Sequence, residues 1–311
     1  MDALSEVLRL SRFSAAVVLD AAAQEPWCVS VPASEGMGRA HVLLEGECVV
    51  RCAQGEVVLG PGDFAFFPSG EAHLIGSPLE AEAKPFSSLI RASLAGELAP
   101  VRVGRHGKAS RWVSLTFQCE PHLALPLLSA LPPVVRVDLA GAAALEWLRD
   151  SLGLVLSASS APLLGAGATR ALLAELVFVE ALARFVQSLP PGGKGWLAGL
   201  NDRYVGRALA LVHGRPSEPW TVEKLGRLVG LSRSSLAERF SEVMGEPIFA
   251  FLTRWRLQLA AEHLLASTRS VESIANDAGY ESASAFARAF KHAFGKAPTA
   301  WRRRRTRKRS R

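Results

Sequence analysis

The sequence predicts a multidomain α+β protein: an N-terminal β-barrel or sandwich with trailing helices, followed by an all-α domain carrying two helix-turn-helix units. Three observations predict it. Short apolar runs broken by turn residues fill residues 27–103. Helical periodicity replaces them from residue 138 onward. An internal repeat occupies residues 221–298.

The elements follow in order. Residues 1–12 read as a short amphipathic helix with Leu4, Val7 and Leu8 on its apolar side. Strands are expected at Trp27–Val31, His41–Leu44, Cys48–Cys52, Glu56–Leu59, Phe64–Pro68, Phe86–Ile90 and Arg111–Gln118. Breaks such as Glu45-Gly46, Gln54-Gly55 and Pro61-Gly62-Asp63 separate several of them. Helical spacing then links Leu145, Leu148, Leu152 and Val155, and next Leu172, Leu176, Val179, Ala183 and Val186. The second of these helices, over residues 169–188, is apolar nearly all round. That favours burial within its own domain or against a second subunit. Pro190-Pro191-Gly192-Gly193 interrupts the pattern and marks a boundary. The expected division is 1–189 for the first domain (barrel about 13–120, helices about 138–189), 190–200 for a linker, 201–303 for the helical domain and 304–311 for a basic tail.

In the repeat, TVEKLGRLVGLSRSSLAERFSEVMGEP at 221–247 matches SVESIANDAGYESASAFARAFKHAFGKAP at 270–298. Val222, Leu225 and Gly230 align with Val271, Ile274 and Gly279; Leu236, Phe240 and Gly245 align with Phe286, Phe290 and Gly295. Thr221 and Ser270 suit the N-cap of a first helix, which buries Val222, Leu225 and Leu228 in one copy and Val271, Ile274 and Ala278 in the other. Gly230 and Gly279 stand where the chain must turn with positive φ. Ser232 and Ser282 cap a second helix. Each copy is therefore a helix-turn-helix. Residues 249–266 form one connecting helix, roughly 27 Å long at ~1.5 Å per residue. Neighbouring turns of a DNA major groove lie ~34 Å apart, so such a rod suits placing both second helices on one face of a duplex.

Charge agrees. The net formal charge is −4 over residues 1–200, +3 over 201–300 and +8 over 301–311, which points to an anionic partner for the C-terminal part. The final residues, WRRRRTRKRSR, suit added phosphate contact; Trp301 is expected in the core. No secretory leader or long uncharged run is evident, which places the chain in the cytoplasm, associated with the nucleoid, and away from membranes. Four cysteines without a CxxC pair are expected to be reduced there. No catalytic motif stands out.

Residues 202–303 resemble the DNA-binding domain of the AraC/XylS family, most closely in IANDAGYESASAFARAFKHAFGKAPTAWRRR. The resemblance implies a transcription regulator that binds double-stranded DNA, works with RNA polymerase and forms homodimers. It implies recognition helices at Ser232–Val243 and about Ala283–Ala293. Base-facing candidates are Arg233, Ser234, Ala237 and Glu238 in the first, and Ala283, Ser284, Ala287 and Arg288 in the second. Arg288 can pair bidentately with guanine. Arg239 and Lys291 suit phosphate contacts, which position without specifying. Glu238 departs from the basic or amide residue of many relatives.

Residues 27–103 resemble a cupin-type sensor barrel, through RAHVLLEGECVV and VVLGPGDFAFFPSGEAHLIG. The resemblance implies a small-molecule effector or a redox signal. His41, Glu45 or Glu47, and His73 fall near the family's metal-ligand positions, but Leu43 stands where a second histidine belongs. No metal or other cofactor is therefore expected. Cys48 and Cys52 share one strand face and are the thiol candidates. The alternative is a metal-dependent cupin enzyme fused to a DNA-binding domain.

Overall fold

The computed structural model describes residues 2–303 except 35, 96–99, 120, 144, 149, 151–164 and 191. The chain divides into two compact units, one of Phe13–Cys119 with Leu131–Ser188, the other of Met1–Arg12, Glu120–Ala130 and Leu189–Arg311.

The first unit is two sheets. Strands β1 (Ser14–Gln24), β2 (Trp27–Val31), β3 (Gly38–Glu45), β4 (Cys48–Cys52), β5 (Gly55–Leu59), β6 (Asp63–Phe67), β7 (His73–Ser77) and β8 (Ala83–Pro85) precede helix α2 (Phe86–Ala95), an earlier helix α1 belonging to the other unit. Strands β9 (Val101–Gly104), β10 (Ala109–Gln118) and β11 (Val135–Asp138) follow. One sheet runs β11-β6-β3-β10-β1-β9, the other β5-β4-β7-β2-β8. Alternation along the strands sends Leu19, Ala21, Trp27, Val29, Leu43, Val50, Phe67, Ile75 and Trp112 into one shared core. Trp27 from one sheet stacks on Trp112 from the other, ring centroids 4.4 Å apart, an aromatic pair worth about 0.5–1.5 kcal/mol beyond its burial.

Every residue of β6 is buried, because it is covered on both faces. Ala65 and Phe67 meet the inter-sheet core. Phe66 meets Phe117 and Phe178 on the opposite side, at 5.3 and 5.1 Å between centroids. Phe178 belongs to the 23-residue helix at Ala166–Ser188. Two carboxylates in these apolar strands are matched by arginines: Arg111 donates two bonds to fully buried Asp20, at 3.1 and 2.8 Å, and Arg136 two to Asp63, at 3.2 and 2.9 Å.

One expectation for this unit is corrected. Phe86–Ile90 opens helix α2 rather than forming a strand, since Phe86 and Leu89 enter the core at helical spacing. In the helix at Ala166–Ser188 the spaced residues lie largely on the outer face: Leu172 and Val179 are exposed, Leu176 and Ala183 half-buried, and Val186 buried. Ala174, Val177, Phe178, Ala181 and Leu182 make the buried face instead. Leu152 and Val155 lie outside the described residues.

The second unit comprises helices α1 (Ala3–Leu10) and α3 (Pro121–Leu128), numbered with α4 (Ala166–Ser188) of the first unit in chain order, then α5 (Trp196–Asn201), α6 (Arg203–Gly214), α7 (Val222–Val229), α8 (Arg233–Met244), α9 (Ile248–Ala266), α10 (Val271–Asp277), α11 (Ala283–Phe294) and α12 (Pro298–Arg302). Helices α1 and α3 make their contacts within this unit, where α1 packs on α6 and α3 on α9. Helix α1 starts at Asp2, whose carboxylate accepts from the Ser5 N–H at 2.8 Å, and buries Val7 and Leu8.

The repeat folds as two helix-turn-helix pairs, α7–α8 and α10–α11. Thr221, Ser232, Ser270 and Ser282 each accept from the backbone N–H three residues on. Gly230 and Gly279 adopt φ of 88° and 80°, the left-handed turn that a side chain would strain. One detail differs: Leu228 is exposed and Val229 takes its place in the core, four residues on from buried Leu225 and so on the same helix face. The second pair closes on Leu257, Ala261, Leu264, Ile274, Phe286, Phe290 and Trp301, and the Trp301 indole donates to the Ala261 carbonyl at 3.3 Å.

Candidate nucleic-acid interface and sensor site

Helix α11 carries its core residues Phe286 and Phe290 on one face, which turns Ser284, Arg288 and Lys291 to solvent and leaves Ala283 and Ala287 half-buried. Among the described residues no side-chain hydrogen bond or ion pair engages Arg288 or Lys291. His292, one helical turn after Arg288, is also exposed; the i, i+4 spacing would have flagged it. A small-residue surface at the helix start with a free guanidinium one turn on suits close approach to base edges.

Helix α8 is built on the same plan but not with the same charges. Leu236 and Phe240 are buried; Arg233, Ser234, Glu238 and Arg239 are exposed and Ala237 half-buried. Arg233 pairs with Glu223 at 3.1 Å, both largely exposed, so the pair is weak and readily exchanged for a phosphate. Arg239 is different. Its Nε lies 3.1 and 3.0 Å from the two Asp202 carboxylate oxygens and its Nη2 2.7 Å from Oδ2. The guanidinium also sits over the Tyr204 ring, 5.2 Å from its centroid. Burial alone would raise the Asp202 carboxyl; Arg239 and the Val205 and Tyr204 amides more than reverse this and hold it below the usual range. Arg239, the expected phosphate contact, makes an internal bidentate pair with Asp202 in this structure. Asp202 caps α6, and its partner lies 37 residues away, beyond any local pattern. The tail at 304–311 lies outside the described residues.

In the β unit the structure brings His41 of β3 and His73 of β7 together, Nε2 to Nε2 at 2.7 Å, both buried. Their tautomers follow from their other partners. The Glu71 carbonyl can only accept, so His73 Nδ1 donates to it at 2.8 Å. Neutral His73 then accepts at Nε2, His41 donates from Nε2, and His41 Nδ1 accepts from the Ser114 hydroxyl at 2.9 Å. Burial pushes both rings down, His73 to about 4 and His41 well below its ordinary value. All four ring nitrogens are engaged. Glu45 and Glu47 are exposed, and among the described residues no group of three or more His, Cys, Asp and Glu could hold a metal ion. These residues do not fit a cupin metal centre.

Cys48 is buried and burial pushes its thiol up to about 12, the wrong direction for a reactive thiolate. Cys52, on the same face of β4, is half-buried and its thiol donates to the Gly55 carbonyl at 3.6 Å. A cavity of about 630 Å³ is lined by Val31, Pro32, Cys52, His73, Leu74 and Phe86 among others, within the size range of small-ligand sites.

Two helix-turn-helix units and a cavity-bearing β unit in one chain define a DNA-binding regulator with a sensor-type domain. A family model described as Cupin matches residues 2–187, and one described as Helix-turn-helix domain matches residues 225–304. The chain belongs to the Cupin family through that first match and is an AraC-family transcription regulator. It is 28% identical to the HTH-type transcriptional regulator AlkR of Acinetobacter baylyi, over 97% of this chain and 99% of AlkR. It is 29% identical to a putative AraC-like transcription regulator of Streptomyces antibioticus, over 96% and 97%. It is 28% identical to RclR of Escherichia coli, an RCS-specific HTH-type transcriptional activator, over 98% of each. No helix among the described residues is long and apolar enough to cross a membrane.

Proposed function

We propose that this regulator is a non-enzymatic homodimer that reads its DNA site chiefly through α11, takes a small effector in the β-unit cavity, and acts on RNA polymerase in the cytoplasm. The observation that carries the reading is the exposed, unengaged Arg288 one turn into a capped second helix. Lys291 supplies phosphate contact beside it. The expected result for Arg288→Ala is a loss of about 5- to 150-fold on the preferred duplex, the equivalent of about 1–3 kcal/mol for one bidentate base contact, with little change on random DNA. Equal losses on both, measured by fluorescence anisotropy at fixed salt, would remove Arg288 from base reading.

A small molecule is favoured over a thiol signal because the Cys48 thiol is raised rather than lowered. The cavity lining of Val31, Pro32, Leu74 and Phe86 suits an effector with a mostly apolar body. An enzymatic role would need a third ligand beside His41 and His73, and their nitrogens are committed to each other. For the dimer, the outer stripe of α4 offers Leu172, Leu176, Val179 and Ala183 at 4-3-4 spacing, the seam that pairs two helices. Leu172→Glu with Val179→Glu should convert the chain to a monomer in sedimentation while leaving its helix content unchanged. A dimer that survives both substitutions would exclude this face.

A further inference from the structure

We propose that Asp202 and Arg239 are positioning residues for DNA recognition: together they clamp the first recognition helix, α8, to the start of α6, and among the described residues the second recognition helix has no such clamp. The inference rests on the reading of α8 and α11 as the DNA-facing helices. Three contacts tie the segment 195–202 to α8. The Gly195 N–H donates to the Val243 carbonyl at 2.7 Å. Gly199 lies so close that a Cβ there would stand 2.6 Å from the Met244 sulfur. The Arg239 guanidinium closes on Asp202 through three bonds of 2.7–3.1 Å.

Asp202 does several things with one carboxylate. Its Oδ1 accepts the Tyr204 and Val205 N–H groups, both at 2.9 Å, which begins α6. The same group then fixes Arg239 over the Tyr204 ring. Asp202 is only 12% exposed at its side chain, so the pair is shielded on one side from the water that weakens surface ion pairs. In the register of the repeat, Phe240 answers to Phe290, so the position of Arg239 is taken by Ala289 in the second copy, and that of Glu238 by Arg288. The two readers thus differ in kind. Helix α11 contributes charge to the DNA. Helix α8 gives Arg239 to an internal contact that sets its own rotation, and so sets where Ser234 and Glu238 point.

The test uses the full chain and a pool of random-sequence duplexes from which that chain selects its preferred site. Arg239→Gln and Asp202→Asn are compared with the parent; the asparagine keeps an oxygen to cap α6, and a thermal melt checks that both variants fold. Each variant should flatten base preference by about five-fold or more in one half of the selected site, leave the other half intact, and keep the slope of affinity against salt. The double variant should be no worse than the weaker single, as expected for residues acting as one contact. Uniform weakening by Arg239→Gln with a salt slope reduced by about one would make it a phosphate contact and overturn the proposal. So would tighter binding by Asp202→Asn with both halves still read, the outcome of merely removing an anion. Failure of the parent chain to enrich any sequence would instead overturn the underlying reading of the two helices.

Discussion

Phe290→Ala should destabilise the second helix-turn-helix by about 3–5 kcal/mol, the cost of emptying a fully buried aromatic site. Phe290 has no exposed surface and lies at the meeting point of three rings, with centroids of Phe294, Phe286 and Trp301 at 4.6, 5.4 and 5.8 Å. The surrounding core is small, formed largely by α9, α10, α11 and α12, so no neighbouring side chain is free to refill the space. A loss of this size is comparable to the whole stability of a small helical module. Loss of α11 removes Arg288 and Lys291 as an ordered surface, so DNA preference should disappear along with helix content. Hydrogen exchange is the direct measurement: amides of α11 and α12 should lose protection first. Protection unchanged in α11, or a destabilisation below about 1 kcal/mol, would mean that the ring cluster is not what holds the reader in place.

The helical reader was legible in the sequence because its signals are local. A capping hydroxyl, a 3.6-residue apolar stripe and a glycine in the turn all fall within a dozen residues, and the repeat shows each of them twice. The β unit was legible only where strands alternate cleanly. Strand β1 passed unnoticed because Ser14–Gln24 is rich in alanine and carries Asp20, a residue acceptable there only because Arg111 arrives from β10, 91 residues later. Residues 86–90 were misread because a five-residue apolar run fits either period. The inward side of α4 was not legible because both of its faces are apolar, and the phenylalanines of β6 and β10 meet Phe178 on one of them. On the second helices of the two pairs, exposure followed from the repeat, whereas pairing did not: Arg239 and Arg288 are both exposed, and a distant carboxylate engages only the first. His41 and His73 were singled out together as ligand candidates, but the hydrogen bond between them spans two sheets.

That histidine pair makes the β unit sensitive to acid. Both rings are neutral donors and acceptors in one chain from Ser114 through His41 and His73 to the Glu71 carbonyl. A proton added to His73 sets its Nε2–H against that of His41, and one added to His41 Nδ1 removes the acceptor of the Ser114 hydroxyl, in each case inside a site that cannot solvate the charge. The folded values lie below the ordinary 6.5, so the unfolded chain binds more protons as pH falls. The stabilising effect is therefore complete above about pH 6.5 and drains away on acidification toward pH 4, where His73 itself titrates. With His73 at about 4, the loss at pH 5 is about 2 kcal/mol from that residue alone, and His41 adds to it with the same sign. His213 in the helical unit, lowered to about 3 by burial, acts in the same direction, so the readout must separate the units. Thermal unfolding followed by hydrogen exchange of β3 and β7 does so. Their protection should fall markedly between pH 7.5 and pH 5 in the parent chain, and far less after His41→Gln with His73→Gln, which keeps hydrogen-bonding groups without a titrating ring. Protection that stays level in the parent over that interval would mean the two rings do not share the proton arrangement derived for them.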